Sequence, residues 1–325
     1  MISASSCIKQ LEHIRELLTH PAVDQHDIMR RVQKVFIEAG YKRSFYNLVF
    51  PAVHRAAAKH DESWFNDSDG RPVLSKLHCP PDSISSLGRC NWAGDPVFYC
   101  SSENGVPIFE VRAELGNTVA LSVWVDKRNT KPMIDHNIET VGLVIGVKHI
   151  FDRLPDGDPF KTMLRHDDIF KAGTSEAIKE IDAYFGDLFI QSSAEVENLY
   201  LFTSAIARVY LNHMNSPSAG KVQALIYPSV ESKLSGLNIA FNKTFARQHL
   251  KIRGAGLYTV EEHEPDKSRY SLKPTKGIAN SKVDHGPIWR KFHAKHDSER
   301  YNLSPQTQIV KTADTSFLEF EDDPS

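Results

Sequence analysis

Two hydrophobic periodicities divide this chain, and their order constrains its fold more tightly than any single motif. Thr118 to Val125 (TVALSVWV) alternates, placing Val119, Leu121, Val123 and Val125 on one face, the pattern of a half-buried strand. Ahead of it, Ile8, Leu11, Ile14, Leu17 and Leu18 recur at helical spacing, as do Ile28, Val32, Val35, Phe36 and Ala39. Gly40 is a natural stop for the second helix, because glycine enters the left-handed conformation without a steric penalty. A third apolar segment, SFYNLVFPAVHRAAAKH, reads as a helix kinked or opened at Pro51. Residues 1–62 are therefore expected to form a small helical domain. Residues 63–80, rich in Asp, Ser, Gly and Pro, are expected to form a linker.

Beyond the strand signal at 97–125 the helical period returns, with Ile178, Ile181, Tyr184, Phe185, Leu188 and Phe189 forming one stripe. Ser192 and Glu195 have capping-box spacing ahead of a further helix. Strands resume in VQALIYPS, LNIAF and AGLYTVEEH. Helices and strands come in blocks, so the main domain, placed at 81–265, is α+β with a helical insertion at about 165–216. The aromatic stripe at 178–189 is a candidate surface for a homo-oligomer. Residues 266–325 lose periodicity and read as a polar, partly disordered tail. The tail histidines His285, His293 and His296 are more simply a solvated basic segment than a metal site.

Charge excludes some functions. Thirty-nine Lys and Arg against 41 Asp and Glu leave a net charge of −2, with no basic footprint for nucleic acid or an anionic membrane. The four cysteines contain no C-x-x-C pair, which argues against a zinc ribbon or a redox dithiol. The first residues carry charges at every turn, and no run approaches the roughly 18 apolar residues of a membrane span. A cytoplasmic protein with reduced thiols is expected.

Several polar residues stand out against this background. Arg89, in GRCN, offers a fork of donors suited to phosphate or carboxylate. Glu110, in PIFEVRAEL, sits between apolar neighbours, at an element end or half buried. Ser229 follows the abrupt end of an apolar strand at Pro228, where a hydroxyl can bind an anion or form a turn. Each alone has an ordinary structural explanation. Arg55 and His60 (RAAAKH) have the Arg-x4-His spacing of HEPN ribonucleases, a short pattern that chance supplies in a chain with 15 histidines.

In order, G-R-x-N, a strand ending at Tyr99, Glu110 followed by Val-Arg, then Y-P-S and G-x-N-x-A-F resemble the RES domain, a family named after its Arg, Glu and Ser. The resemblance covers roughly residues 80–125 and 223–260. It implies an ADP-ribosyltransferase-like mixed β core with a helical N-terminal domain, and NAD as substrate rather than cofactor. The activity implied is that of an NAD glycohydrolase or phosphorylase, with inorganic phosphate the co-substrate in the second case, or of a protein ADP-ribosyltransferase. Such proteins are toxins of toxin–antitoxin pairs, so a cognate antitoxin is an implied partner. Arg89, Glu110 and Ser229 fall on the catalytic positions, and Tyr99, Asn91 and Asn238 near the substrate. The long gap between Glu110 and Ser229 departs from the pattern and bears on substrate access. A rival is a RES-type fold that binds and regulates without catalysis.

Overall fold

The computed structural model describes residues 2–18, 24–40, 45–128, 137–154, 156–166, 176–192, 198–213, 222–234, 236–265, 269–280, 287–291 and 301–303. Two helices open the chain, α1 (Ala4–Leu17) and α2 (Gln25–Ala39). The Ser3 side chain caps the first and Asp24 the second, and Gly40 ends α2 at φ 61°. Eleven strands form one mixed sheet: β1 (Tyr46–Phe50), β2 (Val53–Lys59), β3 (Phe98–Ser101), β4 (Thr118–Asp126), β5 (Ile138–Val144), β6 (Ala224–Pro228), β7 (Leu237–Phe241), β8 (Leu250–Glu264), β9 (Arg269–Asn280), β10 (Pro287–Lys291) and β11 (Tyr301–Leu303). Their order is β1-β5-β6-β7-β3-β2-β4-β8-β9-β10, with β11 also on β9. Among the described strands only β5 and β6 run parallel. The remaining helices are α3 (Val106–Glu110), α4 (Val147–Phe151), α5 (Pro159–Leu164), α6 (Glu176–Phe189), α7 (Leu199–Arg208) and α8 (Lys243–His249).

One link dictates the curvature of the sheet. Strands β1 and β2 are five places apart in the order, about 24 Å across a flat sheet at ~4.8 Å per strand. Only Pro51 and Ala52 connect them, a reach of about 11 Å at 3.8 Å per Cα step. The sheet must therefore curl. The central strands β6 and β7 are buried on both faces, and their alternate residues feed two cores. Leu225, Tyr227 and Ala240 pack beneath α1, α2, α6 and α7, while Ala224, Ile226, Ile239 and Phe241 fill the other face with Phe98 and Trp124. A third cluster sets Ile108 and Phe109 of α3 against Ala56, Val119, Tyr258 and Tyr270.

Four expectations are corrected. The third helical segment is instead β1 and β2. Leu48 and Phe50 are buried and Asn47 and Val49 exposed, a period of two that Pro51 interrupts between strands rather than within a helix. Arg55 and His60 consequently do not share a helix face, since Arg55 turns toward Phe98 and His60 stands exposed beside Asn117. Residues 62–84 are not an open linker. They form three short 3₁₀ turns with Phe65, Leu77 and Cys79 buried. The region after 266 contains β9, β10 and β11, and Tyr270 and Leu272 are buried. Its polar composition hid a strand whose Tyr270 and Leu272 pack into the core.

The stripe on α6 is spent within the chain rather than offered to a second copy. Phe185 meets Phe36 at 5.3 Å between ring centroids, and Phe189 meets Tyr227 at 5.5 Å. The helix expected after Ser192 begins at Leu199, and Glu195 lies outside the described residues, as do His285, His293 and His296. Among the described residues no helix is long and apolar enough to cross a membrane. All four cysteines are buried and unpaired.

His54 lies mid-sheet, opposite Val123 and Ser101, and burial pushes its pKa down to about 4 from 6.5. Between pH 6.5 and 4 the unfolded chain therefore takes up a proton that the folded chain refuses, so stability falls as pH drops through that window. The expected contribution is on the order of 2–3 kcal/mol. Urea denaturation of wild type and His54→Gln at pH 7 and pH 4.5 checks this: the variant should lose less stability on acidification.

Candidate active site

The loop ahead of β3 is built around one amide. Gly88 and Asn91 exchange backbone hydrogen bonds of 3.0 and 3.4 Å. The Asn91 Nδ2 donates to the carbonyls of Ser86 (2.9 Å) and Trp92 (2.7 Å), and its Oδ1 accepts from the Tyr99 hydroxyl at 2.9 Å. That hydroxyl in turn accepts from the Cys90 backbone N–H at 2.8 Å. A Cβ on Gly88 would sit 2.5 Å from Asn91 Oδ1, so only glycine permits the closure. Asn91 is thus fully occupied inside the loop, and the Tyr99 hydroxyl with it. Burial raises the Tyr99 pKa well above the ordinary phenol value.

This loop delivers Arg89 to the wall of a cavity of about 270 Å³. Arg89 is 7% exposed, and it donates to two carbonyls at the end of α6, Gln191 at 2.9 Å and Leu188 at 3.4 Å. The negative end of a helix is a favourable place for a cation. The guanidinium also lies 5.3 Å from the centre of the Tyr200 ring. Among the described residues no carboxylate comes within ion-pair distance of it. A second guanidinium, Arg55 on β2, lines the same cavity. Arg55 is held by the carbonyls of Leu77 (3.1 Å) and Tyr99 (2.7 Å) over the face of Phe98. It too has no carboxylate partner among the described residues. Burial lowers its pKa, yet a guanidinium stays protonated in proteins.

Glu110 ends the short helix α3 and presents its carboxylate to the cavity. Its Oε1 accepts from the Ser229 hydroxyl and, at 2.7 Å, from Asn238 Nδ2. Glu110 is exposed as a residue, yet desolvation of its carboxyl group by the atoms packed around it raises its pKa above 4.5, and these two hydrogen bonds oppose the rise by favouring the ionised form. The close approach of α3 to β7 requires Gly236, where a Cβ would meet Val106 Cγ2 at 2.2 Å. Ser229 is completely buried at the end of β6, and its Oγ also accepts from the Ser232 N–H at 3.2 Å. It therefore acts on Glu110 and stays out of the cavity.

Glu110, Ser229 and Asn238 thus meet in one cluster, with Arg89 across the cavity. Asn91 serves the loop, and Tyr99 contributes its ring to the wall. Sequence reasoning missed Arg55, Tyr200 and Tyr227, which complete the lining. Tyr227 stands beside Pro228 in the motif already noted. Arg55 was hidden by the helical reading of its strand.

The cavity opens into an outer lobe of about 740 Å³, and Arg55, Ala56, Gly88, Tyr99 and Val111 line both. Two guanidiniums, one restrained carboxylate and aromatic walls suit a ligand that is anionic in the middle and develops positive charge at one end. Among the described residues no group of three His, Cys, Asp or Glu side chains could hold a metal ion. No family model matches the chain, and no curated protein matches it.

Asn91→Leu should leave three carbonyl and hydroxyl partners unsatisfied and cost roughly 1–3 kcal/mol. Chemical denaturation would read that loss, and a change below a few tenths of a kcal/mol would refute the role given to this amide.

Proposed function

We propose that this protein splits the bond between nicotinamide and ribose in NAD, as a glycohydrolase or, with inorganic phosphate as acceptor, a phosphorylase. One observation carries the reading: a carboxylate pinned by two side-chain donors faces a cavity whose two guanidiniums have no carboxylate partner among the described residues. The pyrophosphate of NAD would lie against Arg55 and Arg89, and the nicotinamide ribose against Glu110. As the glycosidic bond breaks, its electron pair passes to the ring nitrogen, so nicotinamide leaves neutral and needs no proton. The ribose is left with oxocarbenium charge, which the Glu110 carboxylate stabilises. Water then adds at the anomeric carbon and gives its proton to solvent, or phosphate adds in its place.

Ser229 and Asn238 are positioning residues for Glu110 in this scheme. They fix the oxygen that faces them and leave the other toward the substrate. The aromatic walls of Tyr99, Tyr200 and Tyr227 limit the water around the reacting sugar. The wider reading, an ADP-ribosyltransferase-like core in a cytoplasmic toxin restrained by an antitoxin, rests on the RES-type motif order together with this cluster.

The test is to incubate the purified protein with NAD, with and without inorganic phosphate, and separate the products. Free ADP-ribose without phosphate identifies a glycohydrolase, phosphate-dependent nicotinamide release a phosphorylase, and label on protein a transferase. Intact NAD in every case would hand the site to the non-catalytic reading. Glu110→Gln, which preserves shape and removes charge, should lower kcat by ~10²–10³-fold. The pH profile gives a second check. Glu110 must be ionised, so kcat/KM rises with pH through its raised pKa, and Ser229→Ala, by deleting a bond to the ionised form, should move that limb to higher pH.

A further inference from the structure

The outer lobe has a feature that the cleavage reaction does not use. Its lining includes Arg55, Lys59, Lys76 and His78 and no Asp or Glu, although acidic residues outnumber basic ones in the chain, 41 to 39. The Lys59 Nζ lies 4.9 Å and the Lys76 Nζ 5.1 Å from the centre of a single indole ring, Trp64. Lys76 also donates to the Trp64 carbonyl at 2.5 Å, which holds its ammonium group beside the ring. Neither lysine has a carboxylate within ion-pair distance among the described residues, whereas nearby Lys276 is paired with Glu62 at 2.5 Å. Two ammonium groups collected at one aromatic ring, in a lobe free of carboxylates, match a compact dianion next to a planar base.

Size points the same way. The inner cavity, about 270 Å³, falls below the ~300 Å³ floor of sites that enclose a whole drug-sized ligand. It takes one end of an elongated molecule, and the outer lobe must take the other. In the proposed reaction Arg55 and Arg89 already meet the pyrophosphate, so Lys59 and Lys76 are surplus to a dinucleotide that carries no further charge.

Resting on the proposed cleavage reaction, we infer that the outer lobe binds adenosine carrying a 2′-phosphate, and that NADP is a preferred substrate of this cleft. The 2′-phosphate would sit between Lys59 and Lys76, at the far end of the cleft from Glu110. Charge-assisted contacts from two ammonium groups are enough to separate the two dinucleotides by at least ~10-fold in kcat/KM.

The experiment compares kcat/KM for NADP and NAD in wild type and in a Lys59→Ala/Lys76→Ala double variant. The wild type should favour NADP by at least ~10-fold, and the variant should erase most of that ratio. A wild-type preference for NAD, or a ratio unmoved by the variant, overturns the inference while leaving dinucleotide cleavage standing. Should neither dinucleotide be cleaved, the cleavage reading fails by itself, and titration calorimetry with adenosine 2′,5′-bisphosphate against AMP decides the lobe. Tighter binding of the bisphosphate, lost in the double variant, supports the inference; equal affinity for the two overturns it.

Discussion

A carboxylate at an exposed helix end holds a single orientation only if fixed donors engage it. Glu110 obtains two, from Ser229 and Asn238, and they come from the end of β6 and from β7. The strand pairing across β6 and β7 sets Tyr227 opposite Asn238, so wall and donor are positioned by one ladder. Helix α3 brings Glu110 within reach because Gly236 leaves room for Val106. The curl of the sheet, the bare glycine and the buried serine all converge on that oxygen.

The two guanidiniums are secured in a different way. Arg89 and Arg55 are anchored to backbone carbonyls, which orient a cation without neutralising it. An arginine paired with a carboxylate would present little net charge to a ligand. One held by carbonyls keeps its full charge and part of its donor fork. The helical layer of α1, α2, α6 and α7 therefore has an electrostatic part to play, because the last turn of α6 is what holds Arg89 in place.

Much of this was legible from residue order. The alternation at 118–125 became β4, the stripe at 178–189 became α6, and Gly40 closed α2. Glu110 and Ser229 stood out as polar residues beside apolar runs, Asn238 entered through the resemblance to the RES domain, and the three lie together. Three things were hidden, each for a physical reason. The segment from Tyr46 to Lys59 satisfies helical and strand periods at once over short runs, and only pairing with β4 and β5 decides between them. Arg55 was read with it as half of an Arg-x4-His pair, and its place in the cavity wall went unrecognised. The polar composition of β9 concealed a strand whose Tyr270 and Leu272 pack into the core. The separate roles of Asn91 and Ser229, both polar and both turned inward, depend on hydrogen-bond partners that spacing cannot reveal.

The long separation along the chain between Glu110 and its donors has a consequence for synthesis. Ser229 follows Glu110 by 119 residues and Asn238 follows it by 128. At ~5–20 residues per second, a growing chain carries an unsupported Glu110 for about 6–25 s before either donor exists. Over most of that interval β3 also lacks its partner β7, and β4 lacks its partner β8. Until β6 and β7 emerge from the ribosome the cleft has neither its floor nor its carboxylate geometry, and both arrive together.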